Sequence, residues 1–565
     1  MSTLDWVVMA ITLAFILLYG LYKNRNDKDI DGYLLGNKSL PWYHVGFSVM
    51  ATQASSITFL SAPGQAFTSG MGFVQFYFGL PLAMIVLSIT FIPIFQRLKV
   101  FTAYEFLEER FGVRVRIFTS LLFLLQRGLS TGISIYAPSI ILSTIFGWDI
   151  LYTNIFMGSI VLTYATIGGT KAISYSHLQQ MLIVTSSLAF TGYMIVKLLP
   201  PEIGFIDSLV LAGHADKMEV VDFSFNPQER YNVWSGLLGG FFLQLSYFGT
   251  DQSQVGRYIT GSSIRESRLG LMMNGLLKIP MQFSILLLGI LVFVYYQFNT
   301  PPVFFNETIG TTVENSVYKQ EYEALKAKHN SIYAEKKEKM YALHAASQTN
   351  DAPKISVIQR GLDELSAQAA SIKEEVAKLA KRVSPTSDTN DVNYIFLRFI
   401  LDYLPKGLIG VLIAVIFSAS MASVASAYNS LAASSVLDVY KKAKGKLTDL
   451  EELKASKTAT VLWGIFCIFV AQFAHHLGNS MIELVNILGS WFYGVILGIF
   501  LTAFYAKNIK GDAVFYGAIV SQILIIAIWY LDLVAFLWLN PIGCGLVLGL
   551  SWIFQNVFFS KRISE

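Results

Sequence analysis

Apolar runs of roughly 17 to 30 residues recur along most of the chain, the length needed to cross the roughly 30 Å of hydrocarbon in a bilayer. Thirteen can be placed, at about 5–22, 42–68, 74–96, 115–147, 151–168, 177–199, 233–256, 271–298, 407–440, 457–475, 481–506, 512–532 and 540–559. Lipid offers backbone amides no hydrogen-bonding partner, so each run must satisfy its own groups as a helix. With 54% hydrophobic residues and a mean hydropathy of +0.51, the chain holds too much apolar surface for a soluble core. The expected fold class is an all-α polytopic membrane protein.

Charge adds an orientation. Lys23, Arg25, Lys28 and Lys38 follow span one; Arg97, Lys99, Arg110, Arg114 and Arg116 lie between spans three and four; Arg257, Arg265 and Arg268 lie between seven and eight; Lys441, Lys442, Lys444 and Lys446 follow nine. All fall on one side, while the opposite short loops, 69–72 and the turn around Asp149, carry no basic residue. The positive-inside rule then places the N-terminus outside and the tail with Lys561 and Arg562 in the cytoplasm, in a plasma membrane or a Gram-negative inner membrane. The net charge of +4 reports this orientation rather than an affinity for nucleic acid. Leu4–Tyr22 has its basic residues after it and no small-residue cleavage motif, and so reads as the first span rather than a signal peptide. Cys467 and Cys544 sit inside apolar runs, which leaves neither a disulfide framework nor a metal cluster.

One segment is foreign to the membrane. From about 317 to 383 the chain turns charged, and Ile355, Ile358, Leu362, Leu365, Ala369, Ile372, Val376 and Leu379 repeat in alternating steps of three and four, the seam of a coiled coil. Tyr318, Tyr322, Leu325 and Ile332 make a shorter stripe before it, and Asn350-Asp351-Ala352-Pro353 supplies a turn. The expectation is an antiparallel hairpin projecting outside, as a solvated spacer or as an arm for an external protein partner.

Polar residues single out four spans. Residues 45–69, VGFSVMATQASSITFLSAPGQAFTS, are long enough to span but crowded with hydroxyls and amides, and Pro63-Gly64 removes a backbone donor. Polar groups in hydrocarbon are expensive unless they face a cavity, so this helix should break and line a path. Span seven, with LQLSYFGTDQSQVGR over 243–257, reads the same way, and two broken helices five spans apart suggest an inverted repeat with a substrate site between them. Close helix packing is the other reading of such small residues. In span nine, Ser420, Ser423, Ser426 and Ser430 recur three or four apart, where hydroxyls offer hard neutral oxygens to a monovalent cation, or let helices pack closely. Asp251 and Arg257 are placed to pair through the unwound turn of span seven. Lys278 lies deep in span eight, where an unpaired charge costs at least about 2.5 kcal/mol, and should face a cavity or a partner.

These residues resemble the sodium/solute symporter family, which includes sodium-coupled sugar, monocarboxylate, iodide, vitamin, proline and sialic acid transporters. The most specific match is Tyr247-Phe248-Gly249-Thr250-Asp251-Gln252 followed by Arg257; Ser423 through Asn429-Ser430 to Asp438-Val439-Tyr440, and Gly168-Gly169 with Ala172 and Gln180, match as well. The resemblance runs through all the spans and spares the hairpin. It implies a leucine-transporter-like five-plus-five inverted repeat with about 13 transmembrane helices: 1–41 as first span and inner loop, 42–199 as first repeat, 200–232 as an external loop, 233–506 as second repeat interrupted by an external insertion at 300–395, and 507–565 as two further spans and a tail.

It further implies sodium at the backbone carbonyls of Ala51, Ala54 and Ala419 and the hydroxyl of Ser423. Ala422 stands where the family commonly has a second hydroxyl ligand. By position, Gln53, Thr58, Phe59, Tyr247, Phe248, Lys278 and Asn486 would line the substrate pocket. Where many members read Trp-Thr-Asp, this chain reads Tyr175-Ser176-His177, which removes a second sodium and leaves room for proton coupling, or places a histidine at the inner membrane surface. Thr58 and Val74 depart from the sugar carriers, whereas SSITFLSAPGQ, with Gly489-Ser490, Gly494 and Gly498, is similar to the branch carrying small anions and vitamins. The implied function is a sodium-coupled symporter importing a small polar organic solute, with sodium as coupling ion and no other cofactor; the alternatives are a proton-coupled symporter and a solute sensor signalling through the hairpin. No nucleotide loop or nucleophile–base arrangement supports an enzyme.

Overall fold

A computed structural model describes residues 1–24, 40–98, 102–167, 170–385, 389–445, 447–474 and 480–558, with the backbone alone at 17, 20–24, 167 and 170–176. Gly168-Gly169 and the basic residues Arg25, Lys28, Lys38, Lys99, Lys446, Lys561 and Arg562 lie outside the described residues. Among the described residues the chain is helical throughout, with one isolated bridge between Leu40 and Gly261 and no strand. Among the described residues eight helices are long and apolar enough to cross a bilayer, and Met481–Ser490 with Tyr493–Tyr505 makes a ninth, bent by 42°. Thr3–Ile16 and Ile150–Thr166 are shorter apolar helices. The other two expected spans, two and seven, are broken.

Span two consists of Trp42–Gln53 and Ser56–Ser69. The break comes at Ala54 and Ser55, whose ψ angles of 76° and 177° leave the helical region, and not at Pro63, which sits within the second helix. Ser55 and Ser56 are weak helix formers that compete for backbone hydrogen bonds, whereas Pro63 is tolerated where tightly packed neighbours support the helix around it. A Cβ on Gly64 would come within 1.9 Å of the Val392 carbonyl, and one on Gly289 within 2.1 Å of the Pro63 carbonyl. Span seven begins with a π-turn at Ser235–Gly240, continues as Phe241–Thr250, breaks at Asp251 (ψ 117°) and resumes as Gln252–Tyr258. Each break lies in the first helix of a five-span set, the five-plus-five arrangement of the leucine-transporter fold.

The hairpin forms from Lys319–Gln348 and Ala352–Val383. Asn350 takes the left-handed conformation (φ 52°), and Asp351 caps the second helix by accepting from Lys354 N at 3.2 Å. It does not project as expected, because the seam residues pack onto the protein's own body. Leu365, Ala369, Ile372, Val376 and Leu379 join Val303, Phe304, Ile309 and Val313 in one cluster, while Met340 and Leu343, flanked by Ile355, Ile358 and Leu362, join the main core. Near its tip, Gln348 donates to Asp207 (2.8 Å) and Gln359 to the His214 carbonyl (2.8 Å), both on the loop helix Phe205–His214. At its base, Lys373 reaches Asp391 (2.6 Å), which also accepts from the backbone of Phe305 and Asn306. Asp391 begins the short helix Val392–Tyr403, which lies on the second half of span two.

Candidate functional site

The two breaks face one cavity. Gln53, Ser55 and Thr58 reach it from span two, Tyr247 and Ser253 from span seven, Ser423 from span nine and Asn486 from span eleven. At the first break no side chain caps Ser56–Ser69. The Ser55 and Thr58 amides, which an unbroken helix would send to the carbonyls of Ala51 and Ala54, go instead to Gln53 O (3.1 Å) and Ser55 O (2.9 Å). Two carbonyl dipoles lose their helical donors at membrane depth, where an unsatisfied acceptor is costly and a bare cation is the natural complement.

Opposite them, on span nine, Ser423 donates to the Ser420 carbonyl (3.1 Å), so its oxygen lone pairs remain for a cation. Ala419 is fully buried, and Ala422 is buried and brings no side-chain oxygen. Ser420 does not make up the difference, since its hydroxyl turns to the Ser134 carbonyl of span four at 3.4 Å.

The second break is built differently. Asp251 caps the helix that follows it, accepting from Ser253 N (2.8 Å) and Ser253 Oγ (2.6 Å), and also receives the Tyr493 hydroxyl at 2.9 Å. Its ion pair is with Arg127 of span four and not with Arg257, the partner expected from sequence. Arg257, one turn beyond the break, instead donates to Ser426 of span nine at 3.1 and 2.5 Å. Arg127 lines the cavity, donates to Ser253 Oγ (2.8 Å) and lies 5.5 Å from the centre of the Tyr247 ring, within cation–π range. Its Nε–H is buried with no partner. The side-chain oxygens of Gln53 and Gln126 and both amide atoms of Gln244, all on the cavity wall, are likewise without partners. Buried polar atoms are rarely left so, and those that are mark places for a ligand or ordered water.

Of the residues expected at the pocket, Gln53, Thr58, Tyr247 and Asn486 line the cavity, while Phe59, Phe248 and Lys278 do not. Phe59 and Phe248 are core side chains. Lys278 is fully buried one layer back, its Nζ 5.8 Å from the ring centre of cavity-lining Tyr77 and without a hydrogen-bonding partner. His177 is buried too, with Nδ1 3.1 Å from Ser48 Oγ in span two and Nε2 unpartnered. Asp438 of the span-nine motif stays outside the cavity and receives Arg116 at 2.6 Å and Thr102 at 2.7 Å, tying the loop before span four to the end of span nine. The residue that sequence reasoning missed is Arg127. An arginine inside span four was itself a signal, since ionisable residues within spans face cavities or partners.

A bundle of membrane helices with two broken spans facing one polar cavity defines a secondary active transporter, and not an enzyme. The profile of the Sodium:solute symporter family matches residues 33–320 and 372–521, and the chain belongs to that family. The unmatched stretch between the two blocks falls inside the hairpin. The chain is 25% identical to Sodium-coupled monocarboxylate transporter 1 of Xenopus laevis over 88% of its own length and 67% of that protein's. It is 24% identical to the Sodium/sialic acid symporter NanT of Aliivibrio fischeri over 100% of its own length and 96% of that protein's. Among solved structures, a Na+-coupled sialic acid symporter in a substrate-bound outward-open state superposes with a TM-score of 0.74 at 23% identity, covering 99% of this chain and 98% of that one.

Proposed function

We propose that this protein carries a small carboxylate-bearing solute inward together with sodium. Arg127 is the observation that supports this reading: a guanidinium on the cavity wall with a free Nε–H suits a carboxylate, which pairs with the planar donor fork of arginine. Asp251 balances Arg127 before the solute arrives and, with donors from Ser253 and Tyr493, stays solvated by the protein as the carboxylate takes a share of the guanidinium. Sodium sits at the carbonyls of Ala51, Ala54 and Ala419 and the hydroxyl of Ser423, and the absence of an oxygen at Ala422 makes the site one ligand weaker. Cation and anion enter as a neutral pair, so the desolvation penalty of each is offset by the other. Gln53, Thr58, Gln244 and Asn486 bond the remainder of the solute, and Tyr247 closes over it. Rocking of one part of the bundle against the rest then exposes both cargoes to the cytoplasm.

In this reading the chain lies in a plasma membrane, or an inner membrane in a Gram-negative cell, with its N-terminus and hairpin outside and its C-terminus inside. The test is uptake by purified protein in liposomes of labelled monocarboxylate, sialic acid, hexose and neutral amino acid probes. Sodium-driven accumulation restricted to the carboxylate probes is expected; sodium-driven hexose uptake with none of the acids contradicts the assignment. A second reading, proton coupling, is favoured by one observation, the unpartnered Nε2 of buried His177. It predicts uptake driven by a pH gradient and lost in His177→Gln.

A further inference from the structure

We infer that a groove between spans six and eight is a binding site for one phospholipid of the outer leaflet, whose acyl chain reaches the wall of the proposed sodium site. The groove encloses about 840 Å3 and runs from Met181 to Val196 on span six and from Leu277 to Leu291 on span eight. At 1.5 Å per residue each wall is roughly 21–22 Å long, more than one leaflet's half of a roughly 30 Å hydrocarbon core.

Its surface is mostly hydrocarbon. Thr185 and Ser284, two of the wall hydroxyls, turn back to the carbonyls of Met181 and Pro280 at 2.8 Å each. Pro280 lies on the wall of span eight without breaking its helix, and Gly192 faces Leu288, where an added Cβ would come within 3.2 Å.

Its two ends set the ligand. The far end is Phe47 and Met50 of span two, and Met50 directly precedes Ala51, whose carbonyl faces the proposed ion. The near end lies under Phe205 of the loop helix, and there Lys197 is exposed, with its Nζ 5.9 Å from the ring centre of the groove residue Tyr193. A mostly apolar slot at least one leaflet long, with a cation at its surface end, matches a phosphate headgroup followed by an acyl chain. A chain in this slot braces the first half of span two from behind, so its removal loosens the carbonyls on the other side.

The retention part of the test stands apart from the transport assignment; only the sodium part rests on it. Full-length protein in phosphatidylcholine vesicles containing added phosphatidylglycerol or diacylglycerol is extracted and weighed by native mass spectrometry. One retained phospholipid per chain is expected, with no retained diacylglycerol, and with at least about a tenfold loss in Ser284→Trp, which fills the slot. Lys197→Glu should lower retention about threefold or more while leaving the fold intact by circular dichroism. No retained lipid, equal retention in Ser284→Trp, or equal retention of diacylglycerol overturns the proposal. Ser284→Trp should also raise the sodium concentration for half-maximal uptake a few-fold; if retention falls and sodium dependence stays put, the link to the ion is wrong while the lipid site stands.

Discussion

The two broken helices solve the same problem in opposite ways. Span two opens at Ala54-Ser55 with no side chain to cap the helix that follows, and the carbonyls of Ala51 and Ala54 lose their helical donors. Span seven opens at Asp251, which caps its own helix end, binds Tyr493 and holds Arg127. An uncapped break offers neutral oxygens and suits a bare cation, whereas a break sealed by its own carboxylate brings a guanidinium to the cavity and suits an anion. In the proposed function the open break of span two faces the ion, and the sealed break of span seven, through Arg127 of span four, faces the solute.

The largest effect should come from the sealed break. Arg127→Ala removes the solute's cation and leaves Asp251 as an uncompensated buried charge, a change that typically costs about 3–5 kcal/mol. Uptake should fall at least about a hundredfold and the melting temperature should drop. Arg127→Lys keeps the charge but loses the planar fork, and should raise KM about tenfold in a protein that still folds. Equal KM values for Arg127→Lys and wild type would detach the solute from this break.

The open break should respond more mildly and to sodium alone. Ser423→Ala forfeits one neutral ligand, worth about 0.5–1.5 kcal/mol, and should raise half-saturating sodium roughly two- to tenfold with solute KM unchanged at saturating sodium. Ala422→Ser supplies an additional hydroxyl at the family's usual position and should lower half-saturating sodium by a similar factor. If Ser423→Ala shifts solute affinity and not sodium dependence, the division between the two breaks fails.

Much of this was legible in the sequence because lipid imposes so strong a filter. Apolar runs located the spans, and polar residues within spans two and seven identified which helices would break. The position of a break was harder to read. Pro63 is the conspicuous helix breaker, yet the chain opens at Ala54, since tertiary packing at Gly64 and Gly289 supports the proline while nothing local holds the ladder at Ala54. Partners across the bundle were hidden as well. Asp251 and Arg257 are near in sequence, but a break turns residues on its two sides toward different neighbours, so Asp251 meets span four and Arg257 meets span nine. The hairpin's seam was evident from its three–four spacing, but spacing alone does not say whether an apolar stripe is shared with a second helix or also with the body beneath.

The hairpin lies apart from both breaks and should titrate independently of transport. Burial lowers His329 to about 4, with Lys336 and Lys373 adding to the shift, and burial lowers Lys336 to about 8. Both folded values lie below the ordinary ones, so the unfolded hairpin binds more protons and stability rises with pH across each window. Docking should weaken as pH falls from 6.5 to 4 and strengthen from 8 to 10.5, read as amide-exchange protection of residues 319–383 corrected for intrinsic rates. Protection that is flat across both windows would mean the two side chains are solvated.

The smallest effect is expected at Lys278, one layer behind the cavity. Lys278→Met should change solute KM less than about threefold and leave the melting temperature equal or higher, because an unpartnered cation at this depth is costly. A large KM increase would return Lys278 to the solute's half of the site.

The central claim, sodium and a carboxylate moving together between the two breaks, is tested most directly in sealed proteoliposomes. Labelled carboxylate uptake is followed with an inward sodium gradient, with an inward proton gradient, and with neither. Accumulation under the sodium gradient alone, reduced in Ser423→Ala through a higher sodium requirement and lost in Arg127→Ala, is the predicted result; uptake that ignores sodium and follows pH would contradict it.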